Sequence, residues 1–218
     1  MRILRIEPKT HRSGFLLAPL LLLSVGVLQA NPVTYTFTGT GTGTLAPTPL
    51  ATTSFTNANF VVTLTSDTGN VALVPSLGNI PAIVGLPANI NISGLGDLNF
   101  TGTTFIFAVP AAGEVGFGED NTGFFSPPGN LIQITNAVLS GYNLTTSATA
   151  SGANGILSQF NNAATNGGPL SFSSMSTVTF VANVSPAPEP GSILLTGAAL
   201  LGLAVLAARR AASRPALR

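Results

Sequence analysis

Apolar and polar residues alternate with a period of two along much of the stretch 31–185. Tyr35 and Phe37 alternate with Thr34, Thr36 and Thr38; Phe60, Val62 and Leu64 with Val61, Thr63 and Thr65; Val178, Phe180, Ala182 and Val184 with Thr179, Val181 and Asn183. That period sends successive side chains to opposite sides of an extended backbone, so each run predicts a strand with one buried face. Phe105-Ile106-Phe107-Ala108-Val109 and Leu131-Ile132-Gln133-Ile134 are apolar enough to predict central strands. Asp67-Thr68-Gly69-Asn70, Gly118-Glu119-Asp120-Asn121 and Ser126-Pro127-Pro128-Gly129 read as turns. The Thr-Gly alternation over 38–44 reads as low-complexity and flexible. A short helix near 155–164 is the one helical segment expected within 31–185. The predicted fold is all-β, a two-sheet antiparallel sandwich or jelly roll, with strands near 33–38 and 177–184 paired. Thirteen phenylalanines, all but Phe15 inside this stretch, and two tyrosines supply its core.

The two ends follow a different pattern. Arg2, Arg5, Lys9 and Arg12 precede an apolar stretch over 15–28 centred on Leu20-Leu21-Leu22-Leu23, which closes on Leu28-Gln29-Ala30. A basic start, a short apolar helix and a small residue at the cut predict a signal peptide over 1–30, cleaved between Ala30 and Asn31. Pro19 and the shortness of the stretch argue against a permanent anchor. At the other end, residues 186–190 form a Pro-rich linker, 191–208 carry no charge, and Arg209-Arg210 open a basic tail over 209–218. Eighteen helical residues reach about 27 Å, enough for a thin bilayer. The Arg pair stops transfer and stays cytoplasmic, leaving residues 31–190 on the far side of the inner membrane.

Pro188-Glu189-Pro190, the apolar segment rich in Leu, Ala and Gly, and the terminal Arg cluster together resemble the PEP-CTERM sorting signal of Gram-negative bacteria. The resemblance covers about the last thirty residues and leaves the domain ahead of them undescribed. It implies that an exosortase-like membrane enzyme recognises the Pro-Glu-Pro motif and processes the anchor. It further implies a final place at the cell surface or outside it, in association with exopolysaccharide, biofilm or floc.

Charge placement narrows the chemistry. The net charge of +1 conceals that all eight basic residues lie in the two ends, and His11 is the only histidine. Residues 31–185 hold five acids, Asp67, Asp97, Glu114, Glu119 and Asp120, against no base, and therefore carry −5. Nucleic acid, which requires a basic patch, is excluded as a partner. With no His, Cys or Lys, the domain can assemble neither a nucleophile–histidine pair nor a Schiff base. A two-carboxylate glycosidase remains formally open. Glu114, Glu119 and Asp120 are weak candidates for a Ca²⁺ site, because their spacing does not match an EF-hand and an ordinary polar turn explains them. No cofactor is expected. Asn91, Asn99 and Asn143 head Asn-x-Ser/Thr triplets, which the high Thr content explains. The expected role is non-enzymatic, structural or adhesive in a surface matrix. A carbohydrate- or calcium-binding module is the alternative, and a glycoside hydrolase a more distant one.

Overall fold

The computed structural model describes residues 30–48, 51–75, 79–120, 129–156 and 160–187, together with Gly197, Gly202 and Leu203. The predicted signal peptide up to Gln29, the Pro188-Glu189-Pro190 motif, Arg209 and Arg210 lie outside the described residues, as does the 191–208 segment except for those three positions. Among the described residues no helix is long and apolar enough to cross a membrane.

The described residues form twelve strands: β1 (Pro32–Thr48), β2 (Ala51–Asp67), β3 (Ala72–Val74), β4 (Ile80–Val84), β5 (Ala88–Ile92), β6 (Gly96–Asn99), β7 (Thr103–Val109), β8 (Glu114–Asp120), β9 (Asn130–Thr135), β10 (Ala148–Gly152), β11 (Leu170–Met175) and β12 (Val178–Val184). They make two antiparallel sheets. One runs β10-β12-β1-β2-β5-β6 with β11 also paired to β1, and the other runs β3-β4-β7-β8-β9. The all-β sandwich expected from the alternation is what forms. β1 pairs with β12 from Val33↔Val184 to Thr38↔Thr179, so the two predicted end strands do meet.

The core follows from the alternation. Tyr35, Phe37, Phe60, Val62, Leu64, Phe180 and Ala182 point inward from the larger sheet, and Ile106, Val115, Phe117, Ile132 and Ile134 face them from the smaller one. Burying each large side chain stabilises the fold by about 2 kcal/mol on the usual area scale. Phe37 sits 5.1 Å from Phe180 and 6.3 Å from Phe117, centroid to centroid, which ties the two sheets together through aromatic contact. β7 is buried on both faces, because Phe105 and Phe107 pack with Ala82 on the side away from the main core.

Four expectations need correction. The 38–44 stretch is the middle of β1, not a flexible segment. Its glycines leave room for aromatic rings from the paired strands β2 and β11: a Cβ at Gly39 would lie 3.0 Å from Phe60 Cζ, and one at Gly41 2.6 Å from the Phe172 ring. A Cβ at Gly43 would lie 2.6 Å from Phe55 Cζ and 2.1 Å from the Ser171 carbonyl oxygen. Gly118, Glu119 and Asp120 belong to β8 rather than to a turn, since the Phe105 ring fills the space above Gly118 and β7 pairs along the whole of β8. β9 stands at the end of its sheet rather than at its centre. Asn154 closes its edge, accepting from Gln133 N at 3.0 Å and donating to Leu131 O at 3.1 Å. The described part of 155–164 is turn and bridge, not helix: Asn162 has φ 57°, and Ala163 bridges to Leu170.

Candidate functional site

β8 separates the acids. Residues at odd spacing on a strand face opposite sides, so Glu114 and Glu119 point apart. Glu119 is 3 % exposed and its two oxygens accept from Gly102 N and Ala164 N, each at 2.7 Å. These bonds hold two loops against the end of the sandwich. Glu114 is half-buried and accepts from Gln133 Nε2 at 2.9 Å and Thr135 Oγ1 at 3.3 Å across the β8–β9 pair. Asp120 shares a face with Glu114 but lies six residues on, about 20 Å along the strand. Two-carboxylate glycosidases hold their carboxyl groups within about 10 Å. Among the described residues no three Asp, Glu, His or Cys side chains are grouped to hold a metal ion. Sequence alone gave no hint of Glu119's role, because its partners are backbone groups of loops 17 and 45 residues away.

The described chain ends meet. Asn31 N donates to Thr68 Oγ1 at 3.0 Å, and Thr68 N donates to Asn31 O at 2.9 Å. Asn31 Oδ1 accepts from Ala187 N at 3.0 Å, and Ser185 N donates to Pro32 O at 2.9 Å. Asn31 is therefore seated in the fold, while Ala30 is exposed. The last described residue before Pro188 is bonded to the first residue after the predicted signal-peptide cut.

The outward face of the larger sheet carries the most regular chemistry. Because the strands pair in register, the side chains opposite the core fall into rows. Ser151, Thr179, Thr38, Val61, Asn91 and Asp97 form one row across β10, β12, β1, β2, β5 and β6. Thr149, Val181, Thr36, Thr63, Asn89 and Asn99 form the next, and Asn183, Thr34 and Thr65 a third. Neighbours in a row are about 4.8 Å apart and successive rows about 7 Å, so a six-strand row spans roughly 24 Å on a twisted surface. Asp97 is the only charge in these rows, and Asn91 Nδ2 donates to its Oδ1 at 2.6 Å. Thr36 and Thr38 hydroxyls reach the carbonyls of Val181 and Thr179 only at 3.5 Å, and Ser151 Oγ lies 2.9 Å from Thr179 Oγ1. The face is a lattice of hydroxyl and amide groups, each able to donate and accept, with threonine methyls, Val61 and Val181 between them. Sequence reading found the Thr-rich outward positions of single strands but not the rows, since register across strands comes only from the fold.

Comparison with known protein families, with curated proteins and with solved structures returns no match for this chain.

Proposed function

We propose that this chain is an exported, non-enzymatic surface or matrix protein that adheres to neutral polysaccharide through the outer face of its larger sheet. In this reading the signal peptide ends at Ala30, the Pro188-Glu189-Pro190 tail directs sorting through an exosortase-like enzyme, and the inner membrane holds the protein only in passage. The observation that carries the adhesive role is the lattice of hydroxyl and amide rows, in which Asp97, at the β6 end of one row, is the single charge. A polysaccharide offers repeated hydroxyls, each donor and acceptor, alternating with apolar C–H patches. Thr, Ser and Asn match both kinds of group, while the lack of any cation over 31–185 gives anionic polymers no electrostatic attraction. Each contact exchanges water for sugar and gains little. Many contacts along one chain act together, so affinity grows with polymer length.

Electrophoresis of the protein through gels containing a neutral glucan or a carboxylated polysaccharide tests this. The protein is expected to be slowed by the neutral polymer and not by the anionic one. Thr36→Glu and Asn91→Glu, each placing a charge within the rows, are expected to weaken retardation at least about tenfold, because a desolvated carboxylate costs more than a lost hydroxyl contact. Circular dichroism verifies that each variant folds. Equal migration of the parent protein in glucan and blank gels would remove the adhesive role.

A further inference from the structure

A strand at the rim of a sheet exposes unpaired N–H and C=O groups, and proteins generally cover or charge such edges. This domain covers most of its own. Asn154 and Gly155 bond to the outer side of β9. Asn166 exchanges bonds with Asn99 at the rim of β6, its Oδ1 accepting from Asn99 N at 3.0 Å and its N donating to Asn99 O at 2.9 Å. Residues 160–163 bond to β11 through Phe172 N to Phe160 O and Asn162 N to Ser171 Oγ. β3 is only three residues long.

The first half of β2 is different. β1 pairs with β2 from Pro32↔Asp67 to Thr48↔Ala51, whereas β5 pairs with β2 only from Phe60 to Leu64. Over 51–57 the side of β2 away from β1 therefore has no strand or side chain bonded to it among the described residues. Thr52, Thr53, Ser54, Thr56 and Asn57 are exposed, while Phe55 is turned in against Phe172 at 5.1 Å. Within 51–56 the edge carries no Lys, no Pro and no charge of either sign, and the register shifts of the β1–β2 pair fall on either side of the run Thr53–Phe55, which itself pairs regularly with β1. The charged residue of β2 is Asp67, eleven residues from Thr56 and about 37 Å along the strand, several Debye lengths away.

We infer that residues 51–56 pair antiparallel with the same segment of a second copy of this chain, joining two larger sheets edge to edge about a two-fold axis. Identity of the two partners is what the observations favour. A segment paired antiparallel with itself is self-complementary by symmetry. An uncharged Thr/Ser ladder is also where two domains of −5 repel each other little: Asp97, two strands across from Val61, lies about 20 Å from Thr56, roughly two Debye lengths. The inference deepens the matrix reading by naming one contact that would link its units, but it involves no glycan and none of the lattice rows.

The absence of cysteine makes the test clean. Residues directly opposite in an antiparallel pair have Cα atoms about 4.5–5.5 Å apart, within disulfide reach. Thr52→Cys, Ser54→Cys and Thr56→Cys are made singly in the full chain, held in neutral detergent and mildly oxidised, with Thr149→Cys on β10 as the control. The expected result is a covalent dimer formed best at the one position nearest the two-fold axis, at least about tenfold above the control. Adding Thr52→Lys and Thr56→Lys to Ser54→Cys places like charges across the pair and is expected to reduce the dimer at least about tenfold. Equal yield at Thr149→Cys, monomers at all three edge positions, or a dimer indifferent to the lysines would each overturn the inference. Loss of the dimer on adding soluble glucan would also overturn it, by showing that a glycan and not a second copy takes the edge.

Discussion

Tyr35 and Tyr142 are the two tyrosines of the chain, and the fold treats them unequally. Tyr35 is fully buried beside Phe180, and its hydroxyl donates to Leu144 O at 2.7 Å. Leu144 holds φ 69°, a left-handed conformation unfavourable for a leucine, and its burial and this bond offset the strain. The Tyr142 hydroxyl is buried without a hydrogen-bond partner among the described residues. Tyr35→Phe is expected to cost about 1–2 kcal/mol, since it orphans a buried carbonyl, and Tyr142→Phe less than about 0.5 kcal/mol. Urea unfolding followed by circular dichroism measures both. Burial pushes both phenols well above their ordinary value, and the charge of an ionised Tyr35 would raise Tyr142 further. The folded state therefore holds these protons more tightly than the unfolded one. Their contribution is complete below the unfolded pKa of about 10 and is lost as pH rises beyond it. Phenolate absorbance, free of tryptophan, should rise only in step with loss of the β signal. A phenolate titration near pH 10 with the β signal intact would show the two rings are not packed as described.

At the scale of elements, the Thr-Gly row of β1 explains what sequence could and could not show. Where apolar residues themselves alternate, as at 33–37, 60–64 and 178–184, strands and their inward faces were legible. Over 38–44 the inward positions are glycine, so the pattern that marks a strand disappears. The missing side chains are supplied by Phe60, Phe172 and Phe55 from β2 and β11, and that exchange is invisible without the pairing. The same exchange, with Phe105 over Gly118, turned an apparent turn into the end of β8. Alanine at each glycine should therefore be graded. Gly39→Ala meets mainly the tip of a ring and is expected to cost about 1 kcal/mol or less. Gly41→Ala must displace the Phe172 ring and should cost about 1–3 kcal/mol, the usual range for overpacking. Gly43→Ala meets the Ser171 carbonyl as well, cannot be relieved by a side-chain rotation, and should cost more than Gly41→Ala. Thermal unfolding of the three variants gives the order directly. Equal stability for all three would mean that the rings do not lie over β1.

For the whole molecule, the meeting of Asn31 and Ala187 bears on the proposed sorting of the chain. The fold closes on itself at Ser185–Pro32 and Ala187–Asn31, so Pro188-Glu189-Pro190 follows immediately upon the last bonded residue, with no spacer between. The proposed topology signals, Arg2 to Arg12 at one end and Arg209-Arg210 at the other, are separate in sequence from that motif. Replacing Pro188, Glu189 and Pro190 by alanine should therefore leave translocation unaffected, because positive charge and the apolar segments govern it. Processing should fail, since the replacement removes the proposed recognition element. The expected result is a full-length protein, lacking only the signal peptide, that stays with the inner-membrane fraction. The parent protein is expected at the surface, with an intact mass lower by at least the 191–218 segment. The sandwich itself should be unchanged in both, as none of its strands includes residues beyond Val184. Normal surface delivery of the alanine variant, at the parent's mass, would reduce Pro188-Glu189-Pro190 to a linker and leave the route to the surface to be sought in the domain.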